Sequence, residues 1–362
     1  FIDKAASVDT TPKFADWRII QAQGLVVGKI NKSSNGLIRA EIKLFDAFSE
    51  KLMGSIAFTH KSERRIAHKI SDYIFTRLTG EQGYFDTQIV YVSEQRKGKD
   101  RIKRLTLMDP DGHNARNLTN GRSIVMTPRF SPNARKIAYL DYGRKNQDPK
   151  VSIFEPDSGR HYTLGHFPGM TYAPRFSPDG KSVIFSQDKK GYSNLYSMSL
   201  ESRQVKRLTF GNVIDTSPSY SPDGGKIVFN SNRGGRPQLY IANADGSNIQ
   251  RISQGEGSYR TPIWSPRGDM IAFIKIHKGS FYIGVMKTDG SGERLLTKGF
   301  ILDDPIWSAN GRMIMYSRQE RSSIRGKDSE ISLHVIDHTG VFQRKIPTPT
   351  IAYSAAWSPQ LP

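Results

Sequence analysis

The chain has 362 residues, of which 36% are hydrophobic and 10% aromatic, a composition that supplies a buried core and argues against overall disorder. Its 53 lysines and arginines outnumber its 34 acidic residues by 19, a balance that favours an acidic partner but fits a merely solvated basic surface equally well. Cysteine is absent and no apolar run reaches about 18 residues, which excludes disulfides, thiol catalysis, cysteine-ligated zinc and a membrane-spanning helix.

Residues 1–85 predict a small α+β domain. Because the chain begins at Phe1 rather than Met, we expect it to be a processed or trimmed product. A short helix is expected within "TPKFADWRII" (11–20). β-branched and alternating apolar residues, typical of strands, predict three of them, at residues 24–31, 36–46 and 52–59.

A longer helix is predicted in "SERRIAHKISDYIFTRLTG" (62–80). Gly80 is a natural stop for a helix. Five residues with helical spacing share one apolar face of it: Ile66, Ile70, Tyr73, Ile74 and Leu78. The segment "EQGYFDT" (81–87) then leads into a region of different character.

From residue 86 onward the sequence repeats one phrase, of which "FSPDGKSVIF" (176–185) is an example. The serine of this phrase recurs at positions 131, 177, 221, 265, 308 and 358. A period of roughly 40–50 residues with strand-like content is the signature of β-propeller blades. The region 86–362 therefore predicts a propeller.

Each copy contains the parts of one four-stranded blade. Ser-Pro-Asp-Gly suits a tight turn between the first two strands, since Pro fixes φ and Gly accepts a positive φ. The segment "QLYIAN" (238–243) is an example of the third strand of a blade, and the fourth strand ends in phrases such as "KRLT". The aromatic residue before each turn is expected to pack between blades: Phe130, Phe176, Tyr220, Trp264, Trp307 and Trp357.

The sixth copy stops after its first strand, "SAAWSP" (354–359). Its missing strands are found at the start of the repeat region, where "QIVYVSE" (88–94) matches a second strand. We therefore expect the C-terminal strand to pair with the segment near residue 88 and close the ring, which removes open sheet edges. The predicted fold is mainly β, with a small α+β domain before a closed six-bladed propeller of four-stranded antiparallel blades.

No catalytic, metal or cofactor site emerges from the sequence. A Gly-x-Ser-x-Gly nucleophile elbow and a phosphate-binding glycine loop are both missing. The histidines are scattered, and pairs such as His334 and His338 lack the carboxylate pattern of a zinc site. Asp303 and Asp304 are interpreted as a solvated turn in preference to a cation site.

A binding surface is predicted at the channel mouth. The connections between consecutive blades lie nearest the channel, and the residues just before each repeat phrase differ between copies. Since the shared structure does not dictate them, they are free to specify a partner, although neutral drift is an equal alternative. The candidate partner-binding residues are Met126, Thr127, Met170, Thr171, Tyr172, Ala173, Asp215, Thr216, Ser217, Arg260, Thr261, Asp303, Asp304, Tyr353 and Ser354.

The connections between the second and third blade strands are predicted on the same face and are basic. Such a field would steer an acidic partner to this mouth at a salt-sensitive rate. A solvated loop face without a partner is the alternative. The candidate basic rim comprises Arg96, Lys97, Arg144, Lys145, Lys189, Lys190, Arg233, Arg236, Lys278, Arg325 and Lys327.

Six "FSPDG"-type repeats behind a small α+β domain containing "WRIIQAQGLVVGKI" and "FTRLTG" resemble the TolB family. The resemblance implies a non-enzymatic periplasmic protein of the Tol-Pal complex, which supports outer-membrane integrity and constriction during division. It also implies binding of the lipoprotein Pal at the propeller channel, and residues 170–174 and 216–218 match the family's Pal-facing loops. The family's TolA-binding N-terminal segment is not recognisable before Phe1, so no residue is assigned to TolA.

Two other classes of function stay open at the level of the sequence. One is a propeller-based enzyme, either a hydrolase or a lyase, against which the missing nucleophile elbow argues. The other is a nucleic-acid or polyanion binder, suggested by the charge of +19 but not favoured. Direct binding to peptidoglycan is undecided, and any membrane contact is expected to be peripheral.

Overall fold

The computed structural model describes residues 8–97, 100–143, 149–165, 171–321 and 329–362. The chain forms two compact units, Phe1–Asp86 and Thr87–Pro362. In the described ranges, no helix has both the length and the apolar character needed to cross a membrane.

The first unit is a three-stranded antiparallel sheet with two helices in its described part. In chain order its elements are α1 (Phe14–Ile19), β1 (Gly24–Lys32), β2 (Ile38–Asp46), β3 (Leu52–His60) and α2 (Glu63–Thr79). β1 and β2 form a hairpin whose turn contains Gly36, at φ +79°. The predicted strands and helices of this region are confirmed.

Helix α2 is fixed at both ends by its sequence. The Ser62 side chain accepts a hydrogen bond from a backbone N–H of the first turn, and Gly80 closes the helix in the left-handed conformation. On the predicted apolar face Ile66 is buried, whereas Leu78 in the last turn stays 54% exposed. The helix therefore buries its first turns more completely than its last.

In the described part of the second unit, the strands form six four-stranded antiparallel sheets. The first three blades comprise β4 (Ile89–Lys97), β5 (Asp100–Met108), β6 (Arg116–Asn117), β7 (Val125–Phe130), β8 (Ile137–Asp141), β9 (Lys150–Phe154), β10 (His161–Gly165), β11 (Thr171–Phe176), β12 (Ser182–Lys189), β13 (Tyr192–Ser199) and β14 (Val205–Arg207). The others comprise β15 (Asp215–Tyr220), β16 (Lys226–Ser231), β17 (Gln238–Asn243), β18 (Gln250–Arg251), β19 (Ser258–Trp264), β20 (Met270–His277), β21 (Ser280–Lys287), β22 (Arg294–Gly299), β23 (Ile301–Trp307), β24 (Met313–Gln319), β25 (Ile331–Asp337), β26 (Gln343–Lys345) and β27 (Ile351–Trp357).

The ring is closed by the C-terminal strand, as predicted. β27 pairs antiparallel with β4, with Trp357 opposite Ile89. Just beyond this pair, the Ser358 N–H donates to the Gln88 carbonyl at 2.8 Å, and the Gln88 N–H donates to Ser358 Oγ at 2.8 Å. The first blade is thus built from both ends of the repeat region.

The repeated serine has a structural role in each turn. In the copy at 177, the Gly180 N–H donates to the Ser177 carbonyl, which closes the turn, and Ser177 Oγ donates to Asp179 and accepts from the Ser182 N–H. Three of the five complete copies depart from Ser-Pro-Asp-Gly. At Ser131 and Ser308 an asparagine replaces the aspartate as acceptor, and at Ser265, where arginine takes this place, the Gly268 N–H still donates to the Ser265 carbonyl. The departures from Ser-Pro-Asp-Gly therefore leave the fold unchanged.

The predicted packing of the aromatic residues between blades is confirmed. Phe176 of β11 lies in one buried cluster with Ala138 and Ile153 of the preceding blade. Trp264 of β19 packs likewise with Val228 and Leu239. Burial of a large aromatic side chain contributes on the order of 2–3 kcal/mol, so these contacts hold neighbouring blades together.

Candidate functional site

The channel has two chemically different ends. The first residue of the inner strand β15, Asp215, pairs with Ser231, the last residue of β16. The starts of the inner strands and the hairpins between second and third strands therefore share one end, which we call the mouth end. The Ser-Pro turns that follow the inner strands lie at the other, which we call the Ser-Pro end.

Each described inner strand contains a β-bulge that the sequence did not reveal. In β23, for example, the register shifts between Asp303 and Ile306. At each bulge a non-glycine residue adopts a positive φ of 44–55°: Thr127, Ala173, Ser217, Thr261, Asp304 and Ser354. The sequence predicted these residues in the connections before the inner strands. That placement is wrong, because each of them lies inside an inner strand, at its bulge.

The predicted mouth residues differ widely in exposure. Arg260 and Asp303 are exposed, and Met126, Thr216 and Tyr353 are half-buried. The left-handed residues are half-buried apart from Ser354, which is buried. Met170 and the side chains of Thr171 and Tyr172 lie outside the described residues. The exposed and half-buried side chains just before the bulge are the ones positioned for contact with a partner.

Asp215 has a structural role instead of the predicted contact with a partner. Its side chain is completely buried and forms two hydrogen bonds with Arg233 Nη2, at 3.0 and 2.9 Å. The Arg233 guanidinium also lies over the rings of Phe229 and Tyr240. Arg233 was predicted on the free basic rim, but its charge is used to neutralise a buried carboxylate.

Tyr353 is held in place by a neighbouring acidic residue. Its hydroxyl donates to Glu94 Oε2 at 3.0 Å, and Glu94 in turn pairs with Arg101 and Lys103. Burial, and then the charge of Glu94, raise the pKa of Tyr353. Tyr353 therefore presents its ring, not an ionisable hydroxyl, at the mouth end.

An acidic pair faces a buried arginine inside the channel. Arg129 Nη2 lies 3.7 Å from Asp304 Oδ1, and the Ser354 hydroxyl donates to Asp304 Oδ2. The surrounding channel walls remove most of the hydration of Asp303, and this desolvation together with the Asp304 charge raises the pKa of Asp303 to about 7. The two aspartates are thus part of an ionic cluster and not the solvated turn predicted from the sequence.

Cations are present at both ends of the propeller. At the mouth end, Arg96, Lys189, Lys190, Arg236 and Lys278 are exposed on hairpins, as predicted. The Lys97 side chain and the predicted rim residues Arg144, Lys145, Arg325 and Lys327 lie outside the described residues. The Ser-Pro end has exposed cations of its own: Arg135, Lys181, Lys226 and Arg267. Exposed cations are therefore not confined to the mouth end, and the Ser-Pro turns also contain the acidic residues Asp179, Asp223 and Asp269, so the concentration of positive charge at the mouth stays a prediction.

The sequence reasoning missed two arginines that line the channel. Arg129 and Arg175 occupy equivalent positions on β7 and β11, two residues after the left-handed residue. They line a cavity of 370 Å³ together with the aromatic residues that pack between the blades. The available signal was the basic residue between Pro and Phe in "TPRF" and "APRF", which no other copy has.

Family models match most of the chain. The TolB amino-terminal domain matches residues 1–53, and the TolB beta propeller domain matches residues 75–361. The Tol-Pal system protein TolB of Paramagnetospirillum magneticum (strain ATCC 700264 / AMB-1) is 51% identical, over 100% of this chain and 81% of that protein.

Solved structures agree with this assignment. TolB from Acinetobacter baumannii superposes with a TM-score of 0.88 at 27% identity, over 99% of this chain and 88% of that one. Hydrazine synthase from Kuenenia stuttgartiensis shares the fold alone, with a TM-score of 0.59 at 15% identity, over 76% of this chain and 48% of that one. TolB is a non-enzymatic envelope protein, which agrees with the prediction that the chain is not an enzyme. The chain belongs to the TolB family.

Proposed function

We propose that this protein is a periplasmic interaction module of the Tol-Pal complex that binds the lipoprotein Pal at the mouth end of its propeller. Through this contact it supports outer-membrane integrity and constriction during cell division. The 51% identical relative is a Tol-Pal system protein, and this supports the choice of partner. A contact with TolA belongs to the same proposal, without an assigned residue.

One observation carries the proposal. The same bulged backbone recurs in the inner strands, yet the side chain before the bulge changes from copy to copy, as in Met126, Thr216, Arg260, Asp303 and Tyr353. A repeated backbone does not require this variation, so the residues are available for recognition. The exposed lysines of the neighbouring hairpins add a positive field that steers an acidic partner.

The test compares charge reversals at the two ends. The soluble domain of Pal is immobilised, and the association and dissociation rates of the purified protein are measured at low and physiological salt. We expect Arg260→Glu to weaken binding about ten-fold or more, and the pair Lys189→Glu with Lys190→Glu to slow association at low salt. Arg135→Glu, at the Ser-Pro end, is the matched control and should leave both rates unchanged.

Either of two outcomes would overturn the proposal. One is the absence of measurable binding to Pal by the unmodified protein. The other is an equal loss for Arg260→Glu and for Arg135→Glu, because docking at the mouth end requires the two variants to differ. Thermal unfolding of each variant shows that the folded state is retained before binding is compared.

A further inference from the structure

A second region with the character of a ligand site lies inside the channel, towards the Ser-Pro end. It is the 370 Å³ cavity that the inner strands and the turns after them enclose. Its wall is mostly apolar and includes one aromatic ring from each inner strand: Phe130, Phe176, Tyr220, Trp264, Trp307 and Trp357. A mostly apolar cavity with a few polar groups is the usual form of a small-ligand site.

The polar groups of this cavity include two adjacent arginines. Arg129 is only 5% exposed, and its Nη1 donates to the Pro128 carbonyl at 2.7 Å. The Nε atoms of Arg129 and Arg175 are both buried without a hydrogen-bond partner. Leaving a buried N–H of a charged group unpaired is costly, so these atoms call for an acceptor.

The two arginines differ in their direct partners. Asp304 pairs with Arg129, whereas Arg175 has no hydrogen bond or ion pair with another described residue. Burial lowers the pKa of Arg175 well below its usual value, and the neighbouring charge of Arg129 lowers it further, while the more weakly acting charge of Asp304 opposes the shift. An anion beside Arg175 would relieve both effects.

We propose that this cavity binds a carboxylate attached to an apolar body. The carboxylate accepts hydrogen bonds from Arg175 and Arg129, and the body lies among the aromatic rings. A carboxylate supplies the acceptor that the buried Nε–H groups of Arg129 and Arg175 lack, and it suits the fork of donors on an arginine. The inference is independent of docking at the mouth end, because it concerns different residues at a different depth of the channel.

Tryptophan fluorescence provides a direct measurement. Three of the four tryptophans of the chain line the cavity, so a bound molecule changes the emission of the full-length protein. The probe is 3-phenylpropanoate, and its neutral amide is the matched control. We expect saturable binding of the acid with a Kd of about 1 mM or tighter, and binding of the amide at least ten-fold weaker.

Variants at Arg175 separate charge from packing. Arg175→Met keeps much of the side-chain volume and removes a buried charge, so the protein should fold, and affinity for 3-phenylpropanoate should fall about 10- to 100-fold. Arg175→Lys should retain part of the affinity. Arg344→Met, on the exposed outer strand β26, should bind like the unmodified protein.

A second arm identifies the source of the carboxylate. A short peptide ending in a free C-terminal phenylalanine is compared with the same peptide amidated at its C-terminus. Tighter binding of the free-acid peptide than of 3-phenylpropanoate assigns the cavity to a peptide terminus, and the reverse order assigns it to a small carboxylate. The proposal is overturned if neither acid binds, if acids and amides bind equally, or if Arg175→Met leaves the affinity unchanged.

Discussion

The indole Nε1–H of Trp357 donates a 2.8 Å hydrogen bond to Oγ1 of Thr87, a residue 270 positions earlier in the chain. Both side chains are buried. The bond joins the last inner strand to the start of the second unit, beside the pairing of β27 with β4. The stability of the whole ring therefore depends on a short segment at its C-terminal side.

Deleting residues 354–362 should lower the melting temperature of the propeller substantially. The deletion removes the pairing of Ala356 and Trp357 with Val90 and Ile89 and exposes the start of β4. It also leaves a cavity where the Trp357 ring packs, and the loss of this packing costs several kcal/mol. Circular dichroism during heating measures the effect. Deletion of residues 360–362, which leaves the β27–β4 pairing intact, is the comparison and should lower the melting temperature less. An unchanged melting temperature for the longer deletion would contradict the closure of the ring.

Replacing Arg233 by methionine should destabilise the protein by about 3–5 kcal/mol, because the completely buried Asp215 carboxylate then loses its charged partner. Unfolding in urea provides the measurement. The pair of exposed Arg160 with half-buried Glu155 offers a comparison at the surface, and Arg160→Met should have little effect. Equal losses in the two variants would show that the Asp215 pair is not a structural requirement.

Thr261→Gly should stabilise the protein by about 1 kcal/mol, because glycine adopts the φ of +44° without the strain of a β-branched residue. The substitution also removes a buried hydroxyl without a hydrogen-bond partner. Thr297→Gly in β22 of the same blade, where φ is not positive, should instead lower the free energy of unfolding. A loss of stability in Thr261→Gly would mean that the bulge is not strained.

Asp303 should make stability depend on pH near neutrality. Its pKa in the folded protein, about 7, lies above the ordinary value of about 4, so folding favours its protonated form. Its stabilising contribution is therefore complete below about pH 4 and is lost as the pH rises through about 7.

Urea unfolding from about pH 4 to pH 8 tests this for the unmodified protein and for Asp303→Asn, which cannot ionise. We expect the variant to become more stable relative to the unmodified protein as the pH rises. A difference that stays constant over this range would show that Asp303 does not titrate there.

The architecture of the propeller could be predicted because each turn is determined by residues that are close together in the sequence. Ser177, Asp179 and Gly180 form their hydrogen bonds within six residues, so the same phrase marks the same turn in each blade. Closure of the ring was predicted because the last copy contains only a first strand, whereas the repeat region begins with a second strand. The turns depend on residues close together in the sequence, and closure depends on the number of strands in each copy. Both can be read from the sequence.

The interior of the channel depends on distant contacts and was not predictable in the same way. "TP" before Arg129 suggests an extended strand, yet the packing of six strands around one axis forces Thr127 to φ +47°. Asp215 is an ordinary exposed residue by its sequence, until the fold brings Arg233 over it. Arg129 and Arg175 became adjacent only because consecutive blades place equivalent positions side by side.

The geometry of the closing pair has a mechanical consequence. Thr87 and Ser358 lie at the same end of the two antiparallel strands β4 and β27. Tension between these two residues would separate β27 from β4 by peeling, breaking the hydrogen bonds one after another instead of loading them together. A protein pulled in this direction would open at a lower force than one whose closing strands were pulled in shear.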